Sequence, residues 1–402
     1  MTKKTLTLLL LGALFARCGD EPKRKAAADA VGPTSKDVSA AIEKGAAWLR
    51  AQAKDGGIWM TRYGGREVPS VAHTALALGP IAAALPADRR KSDPMVRRAV
   101  AFLLESQRED GAVDAQPSYF ENYYTSCALM SLVVVDDPAH AEVREKMKGF
   151  LLSLQRREEG RAQGGIGYNK RQGADLSNAQ FAIEALRAAG IPEDHESMKA
   201  ARKYLERVQN RSENPENKGA AYETEDEQHG KVSVVPGNDG SAGYEPGVSK
   251  AGLQRLPDGT YVPRGYGSMT YALLKCYLLT GLPYDDDRVQ AAAQWLGKNY
   301  TWDENPGFQV VAREVGRKDA PYWGLYYYYM TAAKALRLTG IERLDTPDGP
   351  RDWRRDLAAA VLERQGADGS WQNDRSPRWE EGDPVIATAF ALLTLQEVQA
   401  PR

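Results

Sequence analysis

One unit recurs along this 402-residue chain and constrains its fold more than any other feature. It is the end of a helix, a glutamine, a short turn and a Gly-x-Trp, written most fully as Val361-Leu362, Gln365 and Gly369-Ser370-Trp371. The first copy has Trp48-Leu49, Gln52 and Gly57-Ile58-Trp59, and the second has Phe102-Leu103, Gln107 and Gly111-Ala112-Val113. The third aligns as Phe150-Leu151, Gln155 and Gly165-Ile166-Gly167-Tyr168. The fourth keeps Tyr204-Leu205 and Gln209 before a long insertion, and the fifth keeps Trp295-Leu296 with Asn299 in place of the glutamine. Six copies at intervals of roughly 50 residues mark a repeat architecture.

A second apolar helix follows each copy, signed by a small polar residue before an Ala-rich run. Examples are Thr74-Ala75-Leu76, Thr125-Ser126-Cys127-Ala128, Thr270-Tyr271-Ala272 and Thr388-Ala389. The first helix of each pair is amphipathic: Val38, Ile42, Ala46 and Leu49 recur at three- and four-residue steps. The second is apolar nearly all round, so it must be covered on every side. Six helical hairpins satisfy both patterns when half-polar outer helices ring apolar inner ones. The expected fold is therefore all-α, a single-domain (α/α)6 toroid over residues 37–398.

These residues resemble the α/α toroid superfamily of squalene cyclases, terpene cyclases and protein prenyltransferases, and the Gln…Gly-x-Trp element is similar to its QW motif. The resemblance implies an isoprenoid or other lipid-like ligand in the ring cavity. His73-Thr74 resembles the prenyltransferase segment whose histidine binds zinc. No cysteine here has an aspartate two residues before it, so the family's ligand set is incomplete, and no metal or cofactor is expected. Asp175-Leu176-Ser177-Asn178 stands where class II cyclases carry Asp-x-Asp-Asp. The position of the proton-donating aspartate is Ser177, and a neutral hydroxyl cannot make a carbocation. The resemblance thus implies a non-cyclising member. A transferase or carbohydrate-active enzyme on the same barrel, or a structural or protein-binding ring, are the alternatives.

The inner helices all run one way, so their N-termini should gather at one mouth. That mouth supplies the candidates. Asp175, Asp383 and His73 are the catalytic candidates, with Asp383 also a helix cap before Pro384. Thr125, Tyr266, Ser268, Tyr326, Tyr328 and Trp379 are the ligand-binding ones. The stretch 210–264 is acidic first and glycine-rich later, and it is placed as an irregular loop able to act as a lid.

Net charge is -1, and no basic patch is interleaved with aromatics, so no nucleic-acid partner is expected. Lys3 and Lys4 precede a short apolar run from Leu6 to Ala16, the pattern of a signal peptide over residues 1–17. Cys18 then resembles a lipobox cysteine, although Arg17 departs from that pattern. Residues 18–36 form a tether. The expectation is an exported, periplasmic or cell-envelope protein held to a membrane by a lipid on Cys18. Cys127 and Cys276 fall on inner helices and are placed as packed thiols.

Overall fold

The computed structural model describes residues 32–114, 118–226 and 228–401. The expected signal peptide over residues 1–17, the lipidated Cys18 and the tether up to residue 31 lie outside them. The unit described below begins at Pro33.

Twelve helices alternate between two layers. The outer ones are α1 (Ser35–Gln52), α3 (Pro94–Glu105), α5 (Ala141–Ser153), α7 (Glu196–Val208), α9 (Asp287–Lys298) and α11 (Trp353–Glu363). The inner ones are α2 (Val71–Ala83), α4 (Glu121–Val135), α6 (Leu176–Ala188), α8 (Gly267–Leu279), α10 (Leu325–Thr339) and α12 (Pro384–Gln399). Each inner helix packs on the next, and α12 packs back on α2, so the inner ring closes. Helix α1 packs on both α11 and α12, which carries closure into the outer layer.

The recurring glutamine is a staple between outer helices. Gln107 Nε2 donates to its own Gly111 carbonyl at 3.3 Å and to the Val143 carbonyl of α5 at 3.2 Å. Gln155 repeats this on Gly164 and on Ser197 of α7, at 2.8 and 2.9 Å. Gln209 does so on Gly240 and on Arg288 of α9, at 3.2 and 2.8 Å. Gln365 bonds Gly369 and Ala41 of α1, both at 3.0 Å, and so ties the last hairpin to the first. A planar amide with two donors suits this task, because it reaches two carbonyls at once. Gln52 and Asn299 differ: each donates back to its own helix, at Trp48 and Trp295.

The threonine that opens the inner helices meets the same turn. Its Oγ1 accepts from the backbone N–H of Trp59, Val113, Ala242 and Trp371 at Thr74, Thr125, Thr270 and Thr388, over 2.9–3.2 Å. The two sequence signatures are therefore halves of one joint. The indoles of Trp59 and Trp371 add a bond each, to Leu49 and Val361 carbonyls of their own outer helices.

The joint corrects the third alignment by one residue: Gln155 bonds Gly164, so the unit is Gly164-Gly165-Ile166. It also supplies the fourth unit, Gly240-Ser241-Ala242, which the insertion hides in sequence. Gly111 and Gly164 have φ of +92° and +81°, and a Cβ there would lie 2.1 Å from the carbonyl oxygens of Lys146 and Ala200. Only glycine both adopts that turn and lets the next outer helix cross so closely. Of the outer-layer aromatics, Phe150, Tyr204 and Trp295 are buried, while Trp48 and Phe102 are half-buried.

The insertion at 210–264 is more regular than expected. A hairpin, β1 (Met60–Tyr63) and β2 (Arg66–Pro69), precedes α2. The insertion itself folds into β3 (Tyr222–Asp226), β4 (Gly230–Val234), β5 (Leu253–Arg255) and β6 (Tyr261–Pro263), in the order β3-β4-β6-β5. Its root is pinned by buried amides: Asn210 Nδ2 donates to Ser241 Oγ and to the Pro263 carbonyl, and Asn217 Nδ2 to the Glu206 and Gln209 carbonyls. Among the described residues no helix is long and apolar enough to cross a membrane.

Candidate functional site

An inner helix has inner neighbours on two sides and outer helices behind it. Its one remaining face looks onto the ring axis. Partly accessible residues mark that face at four- and three-residue steps: Tyr123, Cys127, Met130 and Val134 on α4; Tyr327 and Lys334 on α10; Ile386, Leu393 and Glu397 on α12. This is the stripe that a helix presents along one side. The rings on it meet across the axis. Tyr123 lies 5.1 Å from Phe181, Phe181 lies 6.2 Å from Tyr327, and Tyr327 lies 6.2 Å from Phe390.

A hydroxyl chain links three of these helices near their N-termini. Tyr123 donates to Ser177 Oγ at 2.8 Å, and Ser177 Oγ and the Tyr327 hydroxyl are also 2.8 Å apart. Gln180 Nε2 donates to Tyr327 as well and lies 3.4 Å from Thr331 Oγ1. Its own carbonyl oxygen is buried with no partner, an acceptor with an unmet hydrogen bond. Burial pushes the phenols of Tyr123 and Tyr327 well above the ordinary tyrosine range, so both act as neutral hydroxyls.

Ionic groups lie deeper. Glu184 of α6 bridges Lys275 of α8, at 2.6 Å, and Lys334 of α10. Burial opposes ionisation of Glu184, but the two lysines outweigh it and hold the carboxyl at about 2. Cys127 faces the same space, and burial pushes its thiol up to about 12.

The sequence candidates divide into several groups. His73 and Asp383 meet: His73 Nε2 lies 3.2 Å from Asp383 Oδ2, and His73 Nδ1 lies 2.8 Å from Ser70 Oγ. The three side chains have the order of a hydrolytic triad, yet Ser70 Oγ also accepts the His73 N–H as the cap of α2, and Asp383 Oδ1 caps Val385. Those bonds describe helix starts. Among the described residues no group of three His, Cys, Asp or Glu gathers to hold a metal.

Asp175 caps α6, accepting from the N–H and the side-chain amide of Asn178, both at 2.8 Å. Burial is the main influence and pushes its carboxyl up to about 7 against those donors. It neighbours the insertion, since the Tyr244 carbonyl accepts the Leu176 N–H at 2.9 Å. The Tyr244 hydroxyl lies 2.8 Å from that of Tyr168.

Thr125 spends its oxygen on Val113, as above. Ser268 Oγ accepts from Asn305, whose Oδ1 caps the Ser268 N–H. Tyr266 is buried against Phe308, 4.7 Å between rings. Tyr326 donates to the Gln372 carbonyl at 3.4 Å, and Tyr328 to the Thr301 carbonyl at 2.7 Å. Trp379 stands on the rim, 43% exposed, with its ring 6.0 Å from both Trp323 and Phe308.

Of the four consecutive tyrosines, the one on the axis is Tyr327. The residues that sequence reasoning missed are Tyr123, Gln180, Glu184, Lys275 and Lys334, and within the tyrosine run it singled out Tyr326 and Tyr328 where Tyr327 faces the axis. The available signal was phase: Tyr327, Thr331 and Lys334 follow the same four-and-three spacing as Ser177, Phe181 and Glu184. A separate surface cavity of about 440 Å³ lies on the outer wall between α9 and α11, lined by Tyr300, Trp302, Asp303, Arg351 and Asp356 among others.

Twelve alternating helices, a closed inner ring and glutamine staples define an (α/α)6 toroid. No family model matches the chain, and no curated protein matches it in sequence. Solved structures match in fold. A variant of the type II terpene cyclase MstE from Scytonema, in complex with its substrate geranylgeranyl dihydroxybenzoate, is similar at 14% identity and a TM-score of 0.53, over 91% of this chain and 98% of that one. A second MstE variant, in complex with its product merosterolic acid A, is similar at 15% identity and a TM-score of 0.53, with the same coverage. The unliganded MstE is similar at 14% identity and a TM-score of 0.50, over 92% of this chain and 100% of that one. At such identities the likeness is one of fold.

Proposed function

We propose that this toroid binds an isoprenoid or other lipid-like molecule in its lumen and does not cyclise it. The observation that carries this reading is the axial face itself. It offers Phe181, Phe390, Met130 and Leu393 as apolar wall and the Tyr123–Ser177–Tyr327 hydroxyls as polar handles. Apolar walls with few fixed polar groups suit a small amphipathic ligand. The unpaired Gln180 oxygen would accept a ligand hydroxyl.

The absence of cyclisation is argued from where the protons are. Forming a carbocation needs a strong, loaded acid on the lumen. Ser177 is neutral. Glu184 is ionised by its lysines at about 2 and so holds no proton to give. Asp175 is held near 7, which makes it a weak acid, and its oxygens face Asn178. The similarity in fold to a cyclase that binds an isoprenoid substrate supports the ligand class and leaves the chemistry aside.

The test is direct. Protein purified from its native cell envelope is extracted with organic solvent and the extract analysed by mass spectrometry. An isoprenoid or acyl lipid at near-stoichiometric yield is expected, and loss of that lipid in Tyr327→Ala with unchanged helicity would place it in the lumen. Incubation with squalene or geranylgeranyl diphosphate should give no cyclised product. Detection of one would sink the non-cyclising reading.

Export and lipid anchoring belong to the same proposal. Lys3, Lys4, the apolar run to Ala16 and Cys18 support them. Cys18→Ser should move the protein from the membrane to the soluble fraction, and an unchanged membrane fraction would remove the anchor.

A further inference from the structure

We propose that the deep end of the lumen, at Lys275, Glu184 and Lys334, holds the anionic oxygen head group of the ligand. Resting on the lumen reading above, this narrows its ligand class to an anionic amphiphile, a carboxylate or phosphate on an apolar tail.

Three observations support it. First, the cluster is unbalanced. Glu184 joins both ammonium groups, and Glu397, which also acts on Lys334, is shared with Arg337, so three cations meet two carboxylates. The groups facing this end therefore sum to one excess positive charge. Second, the cations are withdrawn from bulk water. The side chain of Lys275 is 1% exposed and that of Lys334 11%. An ammonium has three donors. Each of these two gives one to Glu184, and among the described residues no further acceptor meets either ammonium. A buried charge without a full set of partners is destabilising, and an added anion relieves it. Third, the cluster is not fully closed off. The side chain of Glu184 is 18% exposed and lies on the same axial stripe as Ser177 and Phe181. Seven residues separate Ser177 from Glu184, which is about 10 Å of helix rise. A head group at Lys334 would thus leave its tail against Phe181, Tyr327 and Phe390.

Charge complementarity then sets selectivity. The neutral hydroxyls of the upper lumen accept alcohols and acids alike. The lysine pair distinguishes them, because a charge-assisted bond to an anion is about twice as strong as a neutral one. Glu184 competes with the ligand for the same ammonium groups, so its removal should favour an anion.

The experiment compares farnesoic acid with farnesol, equal in tail and different in head, by isothermal titration with the full folded chain. The acid should bind at least about tenfold more tightly than the alcohol. Lys334→Met should erase that preference while leaving the alcohol's affinity unchanged, and Lys334→Arg should restore most of it. Glu184→Gln should strengthen acid binding several-fold. Circular dichroism melts confirm that each variant is folded. Equal affinity for acid and alcohol in the wild type, or a Lys334→Met variant that weakens both alike, overturns the proposal. If neither probe binds at all, the lumen reading itself fails, and this proposal with it.

Discussion

His73 Nε2 lies 3.2 Å from Asp383 Oδ2, joining residues 310 positions apart. The bond links the first inner helix to the last at the seam where the ring closes. Asp383 also caps α12 through Val385, and Pro384 follows at the first helical position. Burial opposes ionisation of Asp383, but His73 and the Val385 and Ile386 amides outweigh it and hold the carboxyl below the usual aspartate range.

Asp383→Ala should therefore cost about 1–2 kcal/mol near neutral pH, a helix cap plus part of a charged bond. The sign with pH follows from the lowered value. The stabilisation is present above 3.8, the ordinary aspartate value, and is lost as pH falls through the lower folded value. Urea melts should give a full difference at pH 6 and a shrinking one below pH 4. A difference that grows on acidification would assign the seam to another interaction.

The glutamine staples rank by what they join. Gln209 is fully buried and bonds Gly240, Arg288, Asn214 and the Tyr277 hydroxyl. Gln209→Leu should cost about 2–4 kcal/mol, because it leaves buried carbonyls and a hydroxyl unpaired. Gln52→Leu removes one bond within its own helix and should stay within about 0.5 kcal/mol. Equal losses at the two sites would show that the staple contributes nothing beyond helix packing.

Much of this scaffold was legible in the sequence, because the repeat prints its geometry several times. The two-way glutamine bond and the threonine bond each recur at four hairpins, enough to fix the joint. The fourth joint was not legible, since the insertion separates Gln209 from Gly240 by 31 residues. The insertion's small sheet was hidden too, because its strands are three to five residues long and set among turns. The candidate site was legible in its location and not in its members. Four adjacent tyrosines cover every face of α10, so composition could not say that Tyr327 looks inward. Glu184 and Lys334 each interrupt an otherwise apolar inner helix, and only the closed ring puts them face to face.

Two glycines separate conformational strain from crowding. Gly164 has φ of +81° and would carry a Cβ 2.1 Å from the Ala200 carbonyl oxygen, whereas Gly190 has φ of +91° with nothing within 4 Å. Gly190→Ala should cost about 1–2 kcal/mol, the price of a left-handed alanine. Gly164→Ala meets backbone that cannot swing aside and should cost more than about 4 kcal/mol, or prevent folding. Thermal melts of the two variants check this, and similar midpoints would mean that α7 can shift away from the turn.

Glu381 supplies a cap that α10 lacks. Gly324 precedes the helix with φ of +60° and has no side chain to offer. Glu381 fills the gap from the loop before α12: its Oε1 accepts the Tyr327 N–H at 2.7 Å and its Oε2 the Tyr326 N–H at 3.2 Å. Asn373 Nδ2 donates to the same carboxyl at 2.8 Å. Burial is the main influence and pushes the carboxyl from 4.5 up to about 7, although those donors favour the charge. A raised acid contributes its full stability below the unfolded value and loses it as pH rises through the folded one. Over this window the loss amounts to about 3 kcal/mol. Glutamine keeps one oxygen for the cap and does not titrate. The destabilisation caused by Glu381→Gln should therefore be largest near pH 4.5 and decline by pH 8, where the wild type carries a buried charge. Urea melts of both proteins across that range would show the decline. A penalty that stays flat, or rises with pH, would mean that the amide donors set the ionisation of Glu381 and that burial does not.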